Sequence, residues 1–123
     1  MRYFTIDEFD SPDKKGSGKN MDTTLLSMLD EARHIAGIPF EINSAYRTEK
    51  YNKKLKKKGY QVAKNSSHLK GLAVDIACVG SSNRWKILSA LMHVGFNRIG
   101  IGKNYLHTDI SCQKSGYVIW IYK

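Results

Sequence analysis

Two histidines and an aspartate are the residues of this chain best suited to chemistry. His68 and Asp75 are seven residues apart, and Asp75 interrupts an otherwise apolar segment at residues 72–77. Aspartate is depleted in strands and is seldom buried without a partner. If the segment is a strand, its side chains alternate between two faces, and Asp75 lies between Ala73 and Ala77 on the face away from the core. These small neighbours leave room for a ligand to approach the carboxylate.

A second segment, residues 105–111, repeats this arrangement. Alternation places its apolar residues on one face and His107 with Asp109 on the other. We expect the two strands to share one site, at which His68, Asp75 and His107 meet. Two imidazoles and a carboxylate are a ligand set of catalytic zinc sites, which keep one position open for water. The pattern therefore predicts a zinc site.

Each of these residues also has a structural explanation when it is taken alone. His68 could be an exposed loop residue, Asp75 could be satisfied by backbone donors, and His107 could be a polar residue on an exposed strand face. Their combination is what favours a metal site. The other two histidines, His34 and His93, lie on predicted helices without a partner pattern, and we interpret both as structural.

The chain has 123 residues and a net charge of +9, and its basic residues are concentrated in one segment. Its length is typical of one domain, covering residues 1–123. Nine basic residues lie from Arg47 to Lys70, with Glu49 as the only acidic residue among them. This run is either a solvated face or a surface that attracts an anionic polymer such as the bacterial wall. Nucleic acid is a less favoured partner, because the run has little aromatic interleaving for base stacking.

The N-terminus and the cysteines indicate the compartment. Residues 1–8 lack an apolar signal region, and no apolar run is long enough to span a membrane. The sequence therefore predicts a protein that is initially kept in the cytoplasm. Cys78 and Cys112 each follow one half of the predicted site, and in a chain without an export signal free thiols are favoured over a disulfide.

Hydrophobic periodicity and turn residues predict an α+β domain, in which helices cover a mainly antiparallel sheet. Asp22 is expected to cap the first helix. The predicted helices span about residues 22–36, 48–58 and 83–94, the predicted strands about 40–43, 72–77, 97–101, 105–111 and 117–122, and the predicted loops 10–20 and 60–67. The apolar stripes expected to be buried are Leu25, Leu26, Met28, Leu29, Ala32 and Ile35 in the first helix and Trp85, Leu88, Leu91 and Met92 in the third.

Several motifs together resemble a known enzyme family. They are Ser67-His68 followed by Gly71 and Asp75, the later His107, and the upstream Ser44-Ala45-Tyr46-Arg47. This set resembles the zinc D-Ala-D-Ala carboxypeptidases, a family that includes VanX-type dipeptidases, phage L-alanyl-D-glutamate endolysins and, by fold, the hedgehog signalling domain. The ends of the chain resemble a compact phage or prophage branch. The resemblance implies a helix-covered antiparallel sheet and one zinc ion held by His68, Asp75 and His107.

The resemblance also implies a role for Arg47, as the cation that stabilises the developing oxyanion or anchors a substrate carboxylate; taken alone, it would be a surface cation at a helix start. We also expect Ser67, Tyr105 and Trp120 to contact substrate, with a core or rim position as the alternative for the two aromatic residues. Better-known members have an acidic residue three positions before the last zinc histidine, where this chain has Asn104. Asp109 is the nearby acidic residue that would act as the general base in its place. Alternatively, Asp109 forms a hydrogen bond to a ligand histidine and orients it.

These features predict a zinc metallopeptidase that hydrolyses a peptide bond in bacterial peptidoglycan stem peptides, as a carboxypeptidase or as an endopeptidase. Such an enzyme would act on the wall after release from the cytoplasm. The alternative is a noncatalytic, zinc-stabilised module that binds cell wall or nucleic acid. It applies if Asp109 is not the base and no other residue replaces it.

Overall fold

Most of the predicted site residues lie on one sheet, and Arg47, Ser67 and His68 lie in segments next to it. The computed structural model describes residues 1–60, 62–63 and 65–123 of the chain. The described residues form the strands β1 (Ile42–Ser44), β2 (Ala73–Ala77), β3 (Arg98–Ile101), β4 (Tyr105–Asp109) and β5 (Val118–Ile121). They pair in the order β1-β2-β4-β3-β5, antiparallel except for the parallel pair of β3 with β5. The predicted α+β class with a mainly antiparallel sheet is confirmed.

Three α-helices accompany the sheet in the described part of the chain. They are α1 (Thr23–Ala36), α2 (Glu49–Lys57) and α3 (Ser81–His93), and short 3-10 helices cover Ile6–Phe9, Ser17–Asn20 and Ser67–Lys70. The Asp22 carboxylate accepts a hydrogen bond from Leu25 N at 3.0 Å and caps α1, as predicted. All three predicted helices are confirmed within about two residues at each end. None of the described helices has the length and apolar character to cross a membrane.

The hydrophobic core lies between the sheet and the helices α1 and α3. The strands contribute Val74, Ile76, Ile99 and Leu106, and the helices contribute Leu25, Leu29, Ile87 and Leu91, all at most 2% exposed. Because strand side chains alternate, burial of this face turns the intervening residues of the central strands toward the opposite face. That opposite face carries Asp75 and His107.

Three residues predicted to be buried are exposed instead. Trp85 is 73% exposed and Met92 is 53% exposed, because α3 is apolar around much of its circumference and packs through the side that contains Ile87 and Ala90. Of the predicted stripe, Leu91 is buried and Leu88 is partly buried. Ile35 is 43% exposed because it lies in the last turn of α1, at the edge of the buried stripe. Helical periodicity cannot decide which side of such a helix is buried.

Other details differ from the sequence prediction or extend it. β1 begins two residues later than predicted, since Phe40 is buried in the core and does not pair. Cys78 is buried and Cys112 is exposed, and both are free thiols. Gln61 and Lys64, in the predicted loop at 60–67, lie outside the described residues.

Gly71 joins the 3-10 helix that carries His68 to the strand that carries Asp75. Its φ of 70° is in the left-handed region, which favours glycine. A Cβ at this position would overlap the carbonyl oxygen of Asn20, and the Gly71 carbonyl accepts a hydrogen bond from Asp22 N at 3.0 Å. The start of α1 therefore packs directly against this turn.

We predict that Gly71→Ala is much more destabilising than Gly37→Ala. Gly37 also has a φ of 70°, but nothing lies within 4 Å of a Cβ built there. Gly37→Ala should therefore lower the free energy of unfolding by only about 1–2 kcal/mol, the usual penalty of left-handed backbone. Gly71→Ala adds a backbone clash and should lower it by roughly twice that or more. Urea titration followed by circular dichroism measures both, and equal losses would contradict the packing described here.

Candidate metal centre

One row of residues crosses the sheet from edge to edge. Ser44 pairs with Asp75, Asp75 pairs with His107, and Gly100 pairs with both His107 and Trp120. Directly opposed residues in a sheet project to the same face. Gly100 leaves the space that the aromatic ring needs, since a Cβ there would overlap the Trp120 side chain. The strand pairing therefore brings Asp75 and His107 together next to the aromatic side chain of Trp120.

His68 reaches this row from the turn before β2. It lies in the 3-10 helix Ser67–Lys70 and is 3% exposed. Its Nδ1 donates a hydrogen bond to the Ala45 carbonyl oxygen at 2.7 Å, which leaves Nε2 facing Asp75 Oδ1 at 3.4 Å. Burial lowers the pKa of His68, and the nearby Asp75 carboxylate opposes this shift only in part. The imidazole is thus neutral at pH 7, as a metal ligand must be.

His107 lies between two carboxylates. Its Nδ1 is 2.8 Å from Asp75 Oδ1, and its Nε2 donates to Asp109 Oδ2 at 2.8 Å. Burial lowers the pKa of His107, but the hydrogen bonds with Asp109 and Asp75 outweigh it and raise the pKa overall. Burial also raises the pKa of Asp75, but the hydrogen bond with His107 and the nearby His68 ring hold that pKa well below its usual range. Asp75 therefore stays ionised.

The three predicted ligands form a group that fits a metal ion. One ligand atom from each of His68, Asp75 and His107 lies within 4.8 Å of the others. The remaining ring nitrogens of the two histidines are occupied by Ala45 and Asp109, so the nitrogens facing Asp75 are the ones available to a metal. Two imidazoles and one carboxylate suit zinc, and the hydrogen bonds behind the rings fix their orientation.

Arg47 holds the second oxygen of Asp75. Its Nη2 donates to Asp75 Oδ2 at 3.3 Å, and its Nε donates to Ser44 Oγ at 2.9 Å. The guanidinium lies beside the cluster with a side-chain exposure of 11%. Arg47 thus orients the carboxylate and still presents a positive charge to the site.

Asp109 lies behind His107, on the opposite side of the ring from Asp75. It is 1% exposed, and its Oδ1 accepts from Arg98 Nε at 2.7 Å and from Ser111 N at 3.1 Å. Burial raises the pKa of Asp109, but its hydrogen bonds with His107 and Arg98 lower it overall. A buried carboxylate with these partners is typical of a group that orients a metal-binding histidine. The assignment of the general base to Asp109 stays a prediction.

A cavity of about 180 Å³ opens onto the cluster. Its lining includes the predicted contact residues Ser67, Tyr105 and Trp120, and it also includes Arg98, Lys114 and Tyr122, which the sequence analysis did not single out. Arg98 had a weak signal, because a charged residue begins a short apolar strand there. Lys114 had none, since it is one of many lysines of the chain and lies between two predicted strands. Asn104 is not among the lining residues.

We predict that each of the three clustered residues is needed to bind zinc. His68→Ala, Asp75→Ala and His107→Ala should each lower bound zinc from one equivalent to near zero after dialysis, measured by atomic absorption. His34→Ala and His93→Ala are matched controls, since both histidines lie outside the cluster. Full zinc content in any of the three cluster variants would rule out this ligand set.

We further predict that Asp109→Asn weakens zinc binding without removing it. Loss of the charge behind His107 should raise the zinc Kd about 10–100-fold, as measured by competition with a chromophoric chelator. Asp30→Asn is the control, because Asp30 is also a buried carboxylate (7% exposed) but contacts the N-terminal segment instead. An unchanged Kd in Asp109→Asn would show that Asp109 does not support the cluster.

Comparison with known proteins agrees with this geometry. The model of the family described as Peptidase M15 matches residues 2–111, which include the whole cluster. The search of curated proteins found no match to the chain. M15 peptidases are zinc-dependent, and the cluster of His68, Asp75 and His107 supplies a group that could bind the ion. The chain thus belongs to the M15 family of zinc D-Ala-D-Ala carboxypeptidases and VanX-type peptidases.

Proposed function

We propose that this protein is a zinc peptidase that hydrolyses a peptide bond in the stem peptides of bacterial peptidoglycan. Family membership implies a zinc peptidase. The observation that carries the proposal is the cluster of His68, Asp75 and His107 at a cavity that Arg47 also lines. The assignment of the stem peptide as the substrate is more specific than family membership, and it rests on motifs similar to those of wall peptidases.

The residues divide the work of amide hydrolysis among them. In our proposal, His68 Nε2, Asp75 and His107 Nδ1 hold the zinc ion. When bound there, zinc supplies a Lewis acid for the carbonyl oxygen and lowers the pKa of a bound water. Arg47 stabilises negative charge that develops on the substrate, since its guanidinium already lies beside the cluster. Trp120 and Tyr105 line the cavity and limit access of bulk water.

Asp109 is the candidate general base, and it is buried and hydrogen-bonded. Both its oxygens accept hydrogen bonds, and 1% of the residue is exposed, which supports a role in orienting His107. Among the described residues, the carboxylates that line the cavity are Asp75 and Asp109. If Asp75 holds the metal and Asp109 orients His107, neither carboxylate is left to act as the general base. This arrangement favours the second candidate function, a zinc-stabilised module that binds the wall and hydrolyses slowly or not at all.

The basic helix α2 supports an anionic partner for either function. Its lysines are exposed, and within the described residues none of them forms an ion pair. A groove of about 540 Å³ is bordered by Tyr51 and Leu55 of α2. Asp75 of the cluster and its neighbour Arg47 also border this groove. Positive charge on this helix would therefore concentrate an anionic wall polymer next to the site.

We predict that the protein releases new amino groups from purified peptidoglycan when loaded with zinc. Chelation and Asp75→Ala should each reduce release to background, while His34→Ala should match the unsubstituted protein. Arg47→Met should lower kcat/KM by about 10²–10³-fold, because it removes a cation next to the developing charge.

The two candidate functions give different results in this assay. Wall binding without release under any metal condition would refute the peptidase and favour the binding module. A salt-dependent shift of DNA, without wall binding or release, would instead point to nucleic acid.

A further inference from the structure

Among the described residues, the cavity contains one cation that no carboxylate neutralises. Arg47 is paired with Asp75 at 3.3 Å, and Arg98 is paired with Asp109 at 2.7 Å. Lys114 also lines the cavity, and across the described ranges no carboxylate lies within ion-pair distance of its ammonium group. The cavity therefore has an excess positive charge at Lys114, and zinc would add to that excess.

The partner of Lys114 is a second hydrogen-bond donor. Lys114 Nζ donates to Ser67 Oγ at 3.1 Å, and Ser67 is 4% exposed. A hydroxyl can accept one hydrogen bond and donate another. In the described part of the chain, the Ser67 hydroxyl has no acceptor for its own hydrogen. An ammonium and a hydroxyl that line one cavity form a pair of donors suited to the two oxygens of a carboxylate.

The loop that carries Lys114 is held in place on both sides of it. Arg98 Nη1 donates to the Ser115 carbonyl oxygen, and Lys70 Nζ donates to Gln113 Oε1 at 2.8 Å. The Arg98 guanidinium also lies 5.1 Å from the centre of the Trp120 ring. These contacts limit the freedom of the loop, so less entropy is lost when Lys114 binds a ligand.

We propose that Lys114, together with Ser67, binds a free carboxylate of the substrate. Arg47 lies in the segment after β1 and Lys114 in the loop after β4, and both line the cavity, so the substrate is recognised by cations from two separate segments. The preferred substrate is then an acidic peptide with a carboxylate beside the scissile bond. This inference rests on the proposed function, because it assigns a specificity residue to the same site.

The test uses one stem peptide in three forms. These are L-Ala-γ-D-Glu-L-Lys-D-Ala-D-Ala, the same peptide with the D-Glu α-carboxylate amidated, and the same peptide with the terminal carboxylate amidated. Binding to the zinc-loaded protein is measured by calorimetry, and hydrolysis by amine release. Lys114→Met should raise Kd and KM about tenfold for the unmodified peptide, the loss of one charge-assisted hydrogen bond, with kcat changed less than about twofold.

The matched variants separate recognition from a general charge effect. Lys86→Met removes one positive charge from the exposed surface of α3 and should leave Kd and KM unchanged. Lys114→Arg should restore most of the binding. Amidating the recognised carboxylate should weaken binding to the unsubstituted protein but have no further effect in Lys114→Met, because the two changes remove the same interaction.

Each outcome decides the proposal. Equal Kd values for Lys114→Met and Lys86→Met, or additive effects of Lys114→Met with each of the two amidations, would overturn it, as would absence of binding to all three peptides. Lys114-dependent binding without hydrolysis would support the carboxylate site while refuting the peptidase. Hydrolysis that is insensitive to Lys114 would support the peptidase and refute the carboxylate site.

Discussion

The pairing of β2 with β4 places Asp75 directly opposite His107, and the rest of the site depends on this register. A slip of one residue would turn one of the two side chains into the core. The register is maintained from the other face, where Val74, Ile76 and Leu106 are all fully buried. The packing of an apolar face against α1 and α3 is therefore what holds two polar groups together on the opposite face.

The site concentrates ionisable groups where little water reaches them. Asp75 and Asp109 are each paired with an arginine, and His107 lies between the two carboxylates. Buried charges are tolerated when their hydrogen bonds are satisfied, and such networks have few alternative arrangements. The hydrogen bonds that link Arg98 to Asp109 and Asp109 to His107 thus connect the cluster to β3. The aromatic ring of Trp120 covers the same arginine.

Membership in the M15 family explains the cluster but not every feature around it. Asn104 stands where the resemblance calls for an acidic residue, and Asp109 is buried behind a proposed ligand. Lys114 and Ser67 add a pair of donors on the side of the β4–β5 loop. The proposed ligands Asp75 and His107 thus lie on the sheet, whereas the proposed specificity residue Lys114 lies in a loop. Loops around a rigid scaffold are the usual location of such specificity.

Local patterns in the sequence determined the helices and most of the strands, because capping residues and hydrophobic periods act within a few residues. The residue types and spacing of His68, Asp75 and His107 also indicated the cluster, since alternation along a strand decides which face each side chain occupies. Only the tertiary structure decided which apolar side of α3 is buried and that Asp109 bonds to Arg98. It also brought Lys114 to Ser67, across 47 residues of chain. These outcomes depend on register and packing between distant segments, and no local period of the sequence encodes them.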